Sequence, residues 1–211
     1  MTRKKVSLHQ AALDEHRMLW IETMNHLRHD WLNDLQLLMG YVQMKKVDKL
    51  SGYVDMLKQR LAEESRASRL GHLGLIELLY TYRSRPHPYR FELMVDEAMD
   101  IRACIPSGDA VESAVRSSLT AFEQSAQMSE TGEENILRCR FVRTSDGCAV
   151  DFAFQGSYGK PELKRAVERL CSVPELSTVK AGISAEFEER TARLWLRFPF
   201  ASAETRLKDR E

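Results

Sequence analysis

Apolar residues in the first seventy positions recur at spacings of three and four, which is the spacing of one face of an α-helix. No proline interrupts residues 7–70, and glycine occurs there only at Gly40 and Gly52. The pattern predicts two long helices that break before Asp48, whose carboxylate can accept hydrogen bonds from the first amides of the second helix. Gly71 is placed to end that second helix in the left-handed conformation.

The apolar stripe of the first helix is too long for a hairpin of two helices to cover. Two hairpins related by a two-fold axis would bury it as a four-helix bundle, so we expect a homodimer. The stripe consists of Leu13, Leu19 or Trp20, Met24, Leu27, Trp31, Leu35, Leu38 and Val42.

After Gly71 the pattern changes to short segments with a period of two, and proline appears. We therefore predict two domains: a dimerising helical hairpin over residues 1–71, and an α+β domain over residues 72–211. The helices of the second domain should cover one face of its sheet. The predicted helices lie at 73–83, 110–128 and 161–171, and the predicted strands at 91–95, 136–143, 148–154, 182–188 and 191–198.

Local signals support these helices and strands. Asp109 or Ser107 can cap the helix that begins near residue 110. Pro161 suits the first turn of a helix, where a missing amide hydrogen costs nothing. The pair Asp146 and Gly147 predicts a hairpin turn between the two central strands.

The chain has 211 residues with 31 basic and 31 acidic side chains, so its formal net charge is zero. Broad binding to nucleic acid or to a membrane surface needs a basic face, and this composition argues against both. No apolar run approaches the roughly 20 residues of a membrane span, and no signal segment opens the chain, so we expect a cytoplasmic protein. Four cysteines without CxxC spacing predict free thiols rather than a zinc or redox site.

Polar side chains interrupt the middle of the first helix on a side that is offset from the apolar stripe. His29 lies on that side and should face water from a rigid scaffold. A neutral imidazole is a good nucleophile near physiological pH, so it can accept a phosphoryl group at a ring nitrogen. Asp30 could orient or deprotonate the ring. The residues that share the polar side are Glu22, Asn25 or His26, His29, Asn33, Gln36 and Gly40.

The neighbours of His29 suggest how a phosphoryl donor or acceptor would be held. Arg28 could offset phosphate charge, and the amides of Asn33 and Gln36 could bind phosphate or a docking partner. Gly40 leaves room for the backbone of a partner, and Asn25 completes this partner-binding set.

Residue types alone do not identify His29 as catalytic, because a histidine on a helix surface is ordinarily only solvated. A metal site formed by His26, His29 and Asp30 is a further alternative. Its i,i+3 spacing is poorer than i,i+4 for two helical ligands, and no distant acidic or cysteine cluster completes it.

The order of residues is more specific than their types. The run from Arg28 to Gly40, RHDWLNDLQLLMG, resembles the phosphoacceptor motif R-H-D-W-x-N-x-L-Q-L-x-x-G of the sporulation-initiation phosphotransferases, which are phosphorelay proteins related to sensor histidine kinases. The resemblance implies a dimeric bundle in which His29 takes a phosphoryl group from the aspartyl phosphate of one response regulator and passes it to a second. It also implies that magnesium belongs to the regulators, so we expect no cofactor of the chain's own.

The second domain resembles the ATP-binding domain of citrate- and fumarate-type sensor kinases in its order of helices and strands. Those kinases carry N-x-x-x-N on a helix, where this chain has Thr120 and Gln124. Their D-x-G-x-G corresponds to the segment 154–158, which begins with Phe154 in place of the acid, and their glycine-rich loop corresponds to 180–183, which has one glycine. We therefore expect a degenerate domain that binds no ATP. The alternatives are a kinase that phosphorylates itself from ATP and a non-catalytic dimeric scaffold.

Overall fold

The computed structural model describes residues 2–97, 99–104, 108–128, 132–172 and 182–200, with the backbone alone for 2–13 and 103. The chain divides into two compact units. The first comprises residues 1–61 and 79–86, and the second comprises residues 62–78 and 87–211. The domain boundary expected after residue 71 stays a prediction.

The N-terminal part consists of helices α1 (Thr2–Gln43), α2 (Val47–Ala67) and α3 (Leu73–Arg83). The predicted pair of long helices and the helix at 73–83 are thereby confirmed. None of the described helices has the length and apolar character that a bilayer crossing requires.

The turn between α1 and α2 is a Schellman-type end in which a lysine takes the place usually occupied by glycine. Lys45 has a φ of 54°. Its amide donates to the carbonyl oxygen of Val42, and the amide of Lys46 donates to that of Tyr41, each at 3.0 Å. Because α2 begins at Val47, Asp48 lies in its first turn. The prediction that Asp48 precedes the helix as its cap was wrong, although a carboxylate there still favours the positive end of the helix dipole.

The second helix ends four residues before the predicted glycine stop. After Ala67 hydrogen bonds appear that join residues three positions apart instead of four, such as the one from the Leu70 amide to the Ala67 carbonyl at 3.3 Å. The Leu70 carbonyl then accepts a hydrogen bond from the amide of Ile101 at 2.9 Å, which takes it out of any helical pairing. Gly71 does adopt a positive φ of 86°, but in the turn that follows the helix.

The second unit contains a mixed sheet of five strands in the order β1-β2-β3-β5-β4. The first two strands are parallel, and every other neighbouring pair is antiparallel. All five predicted strands are present, so the α+β class is confirmed. The strands are β1 (Arg90–Val95), β2 (Ile136–Arg143), β3 (Gly147–Gln155), β4 (Gly182–Phe187) and β5 (Thr191–Pro199).

Two helices accompany this sheet: α4 (Gly108–Ser125) and α5 (Lys160–Cys171). Helix α5 begins with proline in its first turn, as predicted. Helix α4 starts at Gly108, so Asp109 lies inside its first turn and the expectation that Asp109 caps it was wrong. Ser107, the alternative cap, lies outside the described residues.

One face of the sheet forms the core of the second unit. Register places Phe152 opposite Cys139 on β2 and opposite Leu194 on β5, and all three are buried. Phe122 on α4 packs on this face with its ring 6.0 Å from that of Phe152. Burial of each such large apolar side chain contributes about 1.5–3 kcal/mol. Alternation along the strands therefore gives the sheet one buried face, and α4 packs on it.

The predicted hairpin joins β2 to β3. The amide of Thr144 donates to the carbonyl of Gly147 at 3.0 Å and closes the turn. A β-carbon at Gly147 would collide with the carbonyl oxygen of Phe198 on β5. Glycine is required at this position by the close approach of a neighbouring strand. The cysteines are all free, and only Cys171 is exposed, which confirms the prediction of free thiols.

Candidate functional site

His29 lies in the C-terminal half of α1 with its side chain exposed. Its Nδ1 is 3.1 Å from Nδ2 of Asn33, one helical turn further on. Residues four apart lie on the same face of a helix, so the amide reaches the ring without distortion. Asn33 therefore holds one nitrogen of the imidazole, while the ring remains open to solvent.

Arg28 and Asn25 form a second pair on the N-terminal side of His29. Nη2 of Arg28 donates to Oδ1 of Asn25 at 3.0 Å, and both side chains are exposed. A guanidinium has five N–H donors, so this bond leaves several for an incoming anion. The pair places a positive charge next to His29 in sequence without contacting its ring.

The remaining candidates are separate from the ring. Asp30 and Gln36 are exposed, and neither side chain makes a hydrogen bond to any residue in the described ranges. A β-carbon added at Gly40 would have no atom of the described residues within 4 Å. The structure therefore joins His29 to Asn33 and Arg28 to Asn25. Asp30, Gln36 and Gly40 lie along the same helix, but in the described residues no side-chain hydrogen bond joins them to either pair.

A buried polar network behind the site joins α1 to α2. Asp34 is 5% exposed. Its Oδ1 accepts a hydrogen bond of 2.7 Å from the hydroxyl of Tyr53, and its Oδ2 pairs with the guanidinium of Arg60. The hydrogen bond to the carboxylate raises the pKa of Tyr53. Asp34 follows His29 by five residues, about 140° around the helix, so the contacts that bury Asp34 leave His29 turned outward.

Sequence reasoning did not identify this network. The sequence feature that could have revealed it is an acidic residue among the apolar positions of one helix face. The spacings are four, three and four along Leu27, Trp31, Asp34 and Leu38. An acid at such a position predicts a buried partner, since an unpaired buried carboxylate is costly. The side chain of Arg60 is 33% exposed and pairs with Asp34.

The apolar stripe of α1 is only partly covered within one chain. Leu27 and Leu38 are partly buried, whereas Trp31 is 48% exposed and Leu35 is 52% exposed. The exposed apolar residues on this flank of α1 are Ile21, Met24, Trp31, Leu32, Leu35, Met39 and Val42.

The positions that correspond to the kinase nucleotide motifs lie in the second unit. Thr120 and Gln124 line a groove of about 330 Å³ between α4 and α5. The Thr120 hydroxyl donates at 2.9 Å to the carbonyl of Arg116 within the same helix. Of the glycine-poor segment, residues 180 and 181 lie outside the described residues, and Gly182 opens β4.

Phe154 is the residue that we expect in place of the acid of the kinase motif. It is 2% exposed. Its ring centroid lies 5.7 Å from that of Tyr158, 5.8 Å from that of Tyr89 and 5.9 Å from that of Phe122. The phenyl ring of Phe154 has no hydrogen-bond acceptor like the oxygens of a carboxylate.

One group of side chains could hold a metal ion by distance alone. The ligand atoms of His72, Asp109 and Glu112 lie within 4.8 Å of one another. However, Nδ1 of His72 accepts a 3.1 Å hydrogen bond from the amide of Leu75, and its Nε2 is 3.0 Å from Oδ1 of Asp109. The neutral ring then carries its proton on Nε2 and offers no free lone pair. The geometry is that of a cap on α3 rather than of a metal centre.

The helical part of the chain is similar in sequence to a known family and to a known protein. Residues 15–70 match the family model described as the SpoOB-type sensor kinase, alpha-helical domain. An 85-residue segment is 28% identical to sporulation initiation phosphotransferase B of Bacillus subtilis (strain 168), covering 39% of this chain and 44% of that protein. The alignment thus spans less than half the length of that relative. The resemblance drawn from the run 28–40 is confirmed, since that run lies inside the matched segment.

Solved structures similar to this chain include histidine kinases. The catalytic domain of ThkA matches at 14% identity with a TM-score of 0.44, covering 59% of this chain and 89% of that one. AdeS of Acinetobacter baumannii matches at 10% identity with a TM-score of 0.42, covering 82% and 98%. ThkA in complex with the response regulator TrrA matches at 12% identity with a TM-score of 0.42, covering 95% and 68%.

Proposed function

We propose that this chain is a phosphorelay phosphotransferase that accepts a phosphoryl group on His29 from the aspartyl phosphate of one response regulator and passes it to the aspartate of a second. The relay that initiates sporulation is the setting suggested by the name of the Bacillus subtilis relative. The observation that carries the proposal is the position of His29. It is exposed on a long helix, inside the run RHDWLNDLQLLMG and inside the segment that matches the SpoOB-type model.

The chemistry requires one neutral ring nitrogen with a free lone pair. That nitrogen attacks the phosphorus, a nitrogen–phosphorus bond forms, and the bond from phosphorus to the carboxylate oxygen of the donor breaks with its electron pair. The donor leaves as a free carboxylate, and the same step in reverse transfers the group to the second regulator. Asp30 is the neighbouring carboxylate that we assign to orienting or deprotonating the ring.

The other polar residues of α1 are assigned to docking. Arg28 carries the charge that offsets the phosphoryl oxygens, with Asn25 holding its guanidinium by the 3.0 Å bond. Gln36 offers an amide, and the open space at Gly40 accommodates a partner's backbone. Magnesium would come with the regulator, whose acidic pocket supplies oxygen ligands of the kind this ion prefers.

We further propose that two chains associate through the uncovered flank of α1 as a four-helix bundle. A row of large apolar side chains with about half of each exposed is the kind of surface that marks an interface. Leu35→Asp should convert a dimer to a monomer in light scattering. Leu73→Asp, at a leucine that is 84% exposed on α3, is the matched control and should leave the mass unchanged. A monomeric wild type, or equal dissociation by both variants, would refute this arrangement.

A transferase of this kind needs no nucleotide of its own. Phe154, which we expect in place of the acid of the kinase motif, is buried among aromatic rings, and the Thr120 hydroxyl is bonded within its helix. Both observations support a second domain that does not phosphorylate His29 from ATP.

The decisive experiment is a transfer assay. The wild-type protein, His29→Ala and His26→Ala are each mixed with magnesium and with a receiver domain carrying a ³²P-labelled aspartyl phosphate, and in parallel with labelled ATP alone. His26 is the matched control, because it is an exposed histidine on the same helix. We expect label to move from the receiver to the wild type and to His26→Ala, with none reaching His29→Ala and none arriving from ATP.

Each other outcome has a definite meaning. Label from ATP on the wild type would identify a kinase. No label from any receiver would support the non-catalytic scaffold. Label retained by His29→Ala would show that a residue other than His29 accepts the phosphoryl group. Circular dichroism on each variant excludes misfolding as the cause of a lost signal.

A further inference from the structure

Two cysteines from separate parts of the second unit lie on the same face of the sheet. Cys148 on β3 is opposite Phe198 of β5, and Cys104 forms an isolated antiparallel bridge with Phe200, two residues further along the chain. Residues that are opposite each other in an antiparallel pair share a face, and so do residues two apart on one strand. This is the face that carries the core, because Cys104 is 6% exposed and Cys148 and Phe198 are each 1% exposed.

The two thiols interact with each other and with a cation. A hydrogen bond from the Cys148 thiol, helped by the positive charge of Arg143, lowers the pKa of Cys104 below its ordinary value. The same hydrogen bond, together with burial, raises the pKa of Cys148. The Arg143 guanidinium lies 5.5 Å from the ring centroid of Phe200, the residue that bridges Cys104. Since the thiolate is the reactive form of cysteine, Cys104 is the nucleophile of the pair and Cys148 is the proton donor beside it.

The other two cysteines have different surroundings. Cys139 on β2 is fully buried, and its burial raises the pKa of its thiol well above the ordinary value. Cys171 is exposed at the end of α5. A cavity of about 390 Å³ has Cys148, Gly147 and Phe198 in its lining. A water molecule takes up about 30 Å³ of liquid, so this space admits solvent and small oxidants to the end of the sheet where the thiol pair lies.

We propose that Cys104 and Cys148 form a redox modification site, at which hydrogen peroxide converts the two thiols to a reversible disulfide within the chain. The Cys104 thiolate attacks one peroxide oxygen, the O–O bond breaks, and the departing hydroxide takes up the thiol proton as water. The Cys148 sulfur then attacks the resulting sulfenic sulfur, the S–O bond breaks, and the hydroxyl leaves with the Cys148 proton as a second water. Two thiols are thereby oxidised to one disulfide while one peroxide is reduced to two waters. This inference is independent of the proposed function of His29.

The disulfide would tie the segment that precedes α4 to β3, because Cys104 comes shortly before the first residue of that helix, Gly108. The link closes a long loop and restricts the unfolded chain, which stabilises the folded state. The oxidised protein should therefore unfold in urea at a midpoint about 1 M higher than the reduced protein. A midpoint that stays or falls on oxidation would mean that the link forms only in distorted molecules, and it would overturn the inference.

The experiment maps disulfides in the full-length protein after treatment with hydrogen peroxide. The wild type, Cys104→Ala, Cys148→Ala and Cys139→Ala are oxidised, denatured in an alkylating reagent and digested, and their peptides are analysed by mass spectrometry with and without dithiothreitol. Cys139→Ala is the matched control, because it removes a buried thiol from the strand next to β3. A parallel sample contains dimedone, which traps sulfenic acids.

We expect a peptide pair linked through Cys104 and Cys148 in the wild type and in Cys139→Ala, and we expect dithiothreitol to separate it. Dimedone should label Cys104 in Cys148→Ala and leave Cys148 unlabelled in Cys104→Ala. Oxidation confined to the exposed Cys171, a link from either thiol to another cysteine, or alkylation of both thiols in the oxidised wild type would overturn the inference. The map of the wild type decides the question even where an alanine variant fails to fold.

Discussion

Replacement of Arg60 by methionine tests whether the buried network fixes the helical hairpin. Asp34 is 5% exposed and depends on Arg60 and on the Tyr53 hydroxyl for its pairing. Arg60→Met keeps the length and apolar stem of the side chain but removes the charge. The carboxylate is then left in the interface with a single hydrogen bond.

The expected cost follows from the exposure of the two groups. Breaking a fully buried ion pair costs about 3–5 kcal/mol, and breaking an exposed one costs about 0–1 kcal/mol. The Arg60 side chain is 33% exposed and that of Asp34 is 8% exposed, so we expect an intermediate loss of about 2 kcal/mol. With a urea slope of about 2 kcal/mol/M, the unfolding midpoint should fall by about 1 M.

The assay is urea unfolding followed by far-UV circular dichroism at one fixed protein concentration, because association would itself shift the midpoint. Lys58→Met is the matched control on the same helix. Lys58 pairs with Asp55 at 3.3 Å, and both side chains are at least 70% exposed, so this change should cost under about 0.5 kcal/mol. A double-mutant cycle with Asp34→Asn isolates the pairwise energy. Equal losses in the two methionine variants, or no loss in Arg60→Met, would refute the reasoning.

Three further outcomes are expected. The hydrogen bond to Asp34 raises the pKa of Tyr53 above its ordinary value of 10.0. The stabilising effect of this bond is therefore present below about pH 10 and is lost as pH rises through the higher pKa of the folded state. Ultraviolet titration of Tyr53→Phe against the wild type measures the pKa of Tyr53. Gly147→Ala drives a β-carbon into the Phe198 carbonyl and should lower the free energy of unfolding by about 1–3 kcal/mol in urea. Gly40→Ala meets no atom and should raise helix stability by up to about 1 kcal/mol, while slowing transfer from a labelled receiver if that space serves docking.

Each of these has its own control. Asp34→Asn should return the Tyr53 titration toward its ordinary range, and an unchanged curve would contradict the assignment. A β-carbon at Gly182 would meet its nearest neighbour at 3.5 Å, an ordinary contact, so Gly182→Ala should be tolerated where Gly147→Ala is not. Gly52→Ala is equally unhindered on α2 and should stabilise without slowing transfer. Equal slowing of transfer by Gly40→Ala and Gly52→Ala would refute a docking role for Gly40.

The helix ends show how far local signals reach. Asp48 and Asp109 are the acids that a sequence places at a helix start, yet each lies in the first turn, because α2 begins at Val47 and α4 at Gly108. Asp109 is instead hydrogen-bonded to His72, a partner 37 residues away. A cap preference is a weak local effect of about 1 kcal/mol, so a tertiary partner can displace it.

The candidate site shows the same division. The order of residues from Arg28 to Gly40 was sufficient to single out His29 and to place its polar neighbours on one side of a helix. It suggested Asp30 as a group that could orient or deprotonate the ring, and it did not show that the hydrogen bond to the ring would involve Asn33. Spacing shows which residues share a face, but not which rotamer brings two polar atoms within bonding distance.

The sequence by itself determined the helices, the strands, the hairpin turn and the exposed polar side of α1, because hydrophobic periodicity and turn residues act over a few positions. The tertiary structure decided the pairing of Asp34 with Tyr53 and Arg60, the strand order β1-β2-β3-β5-β4, and the burial of Phe154 in an aromatic cluster. Several of those contacts join residues far apart in the sequence, such as Tyr53 with Asp34 and Phe154 with Phe122. Their existence depends on how the helices and strands align in space, which no local pattern encodes.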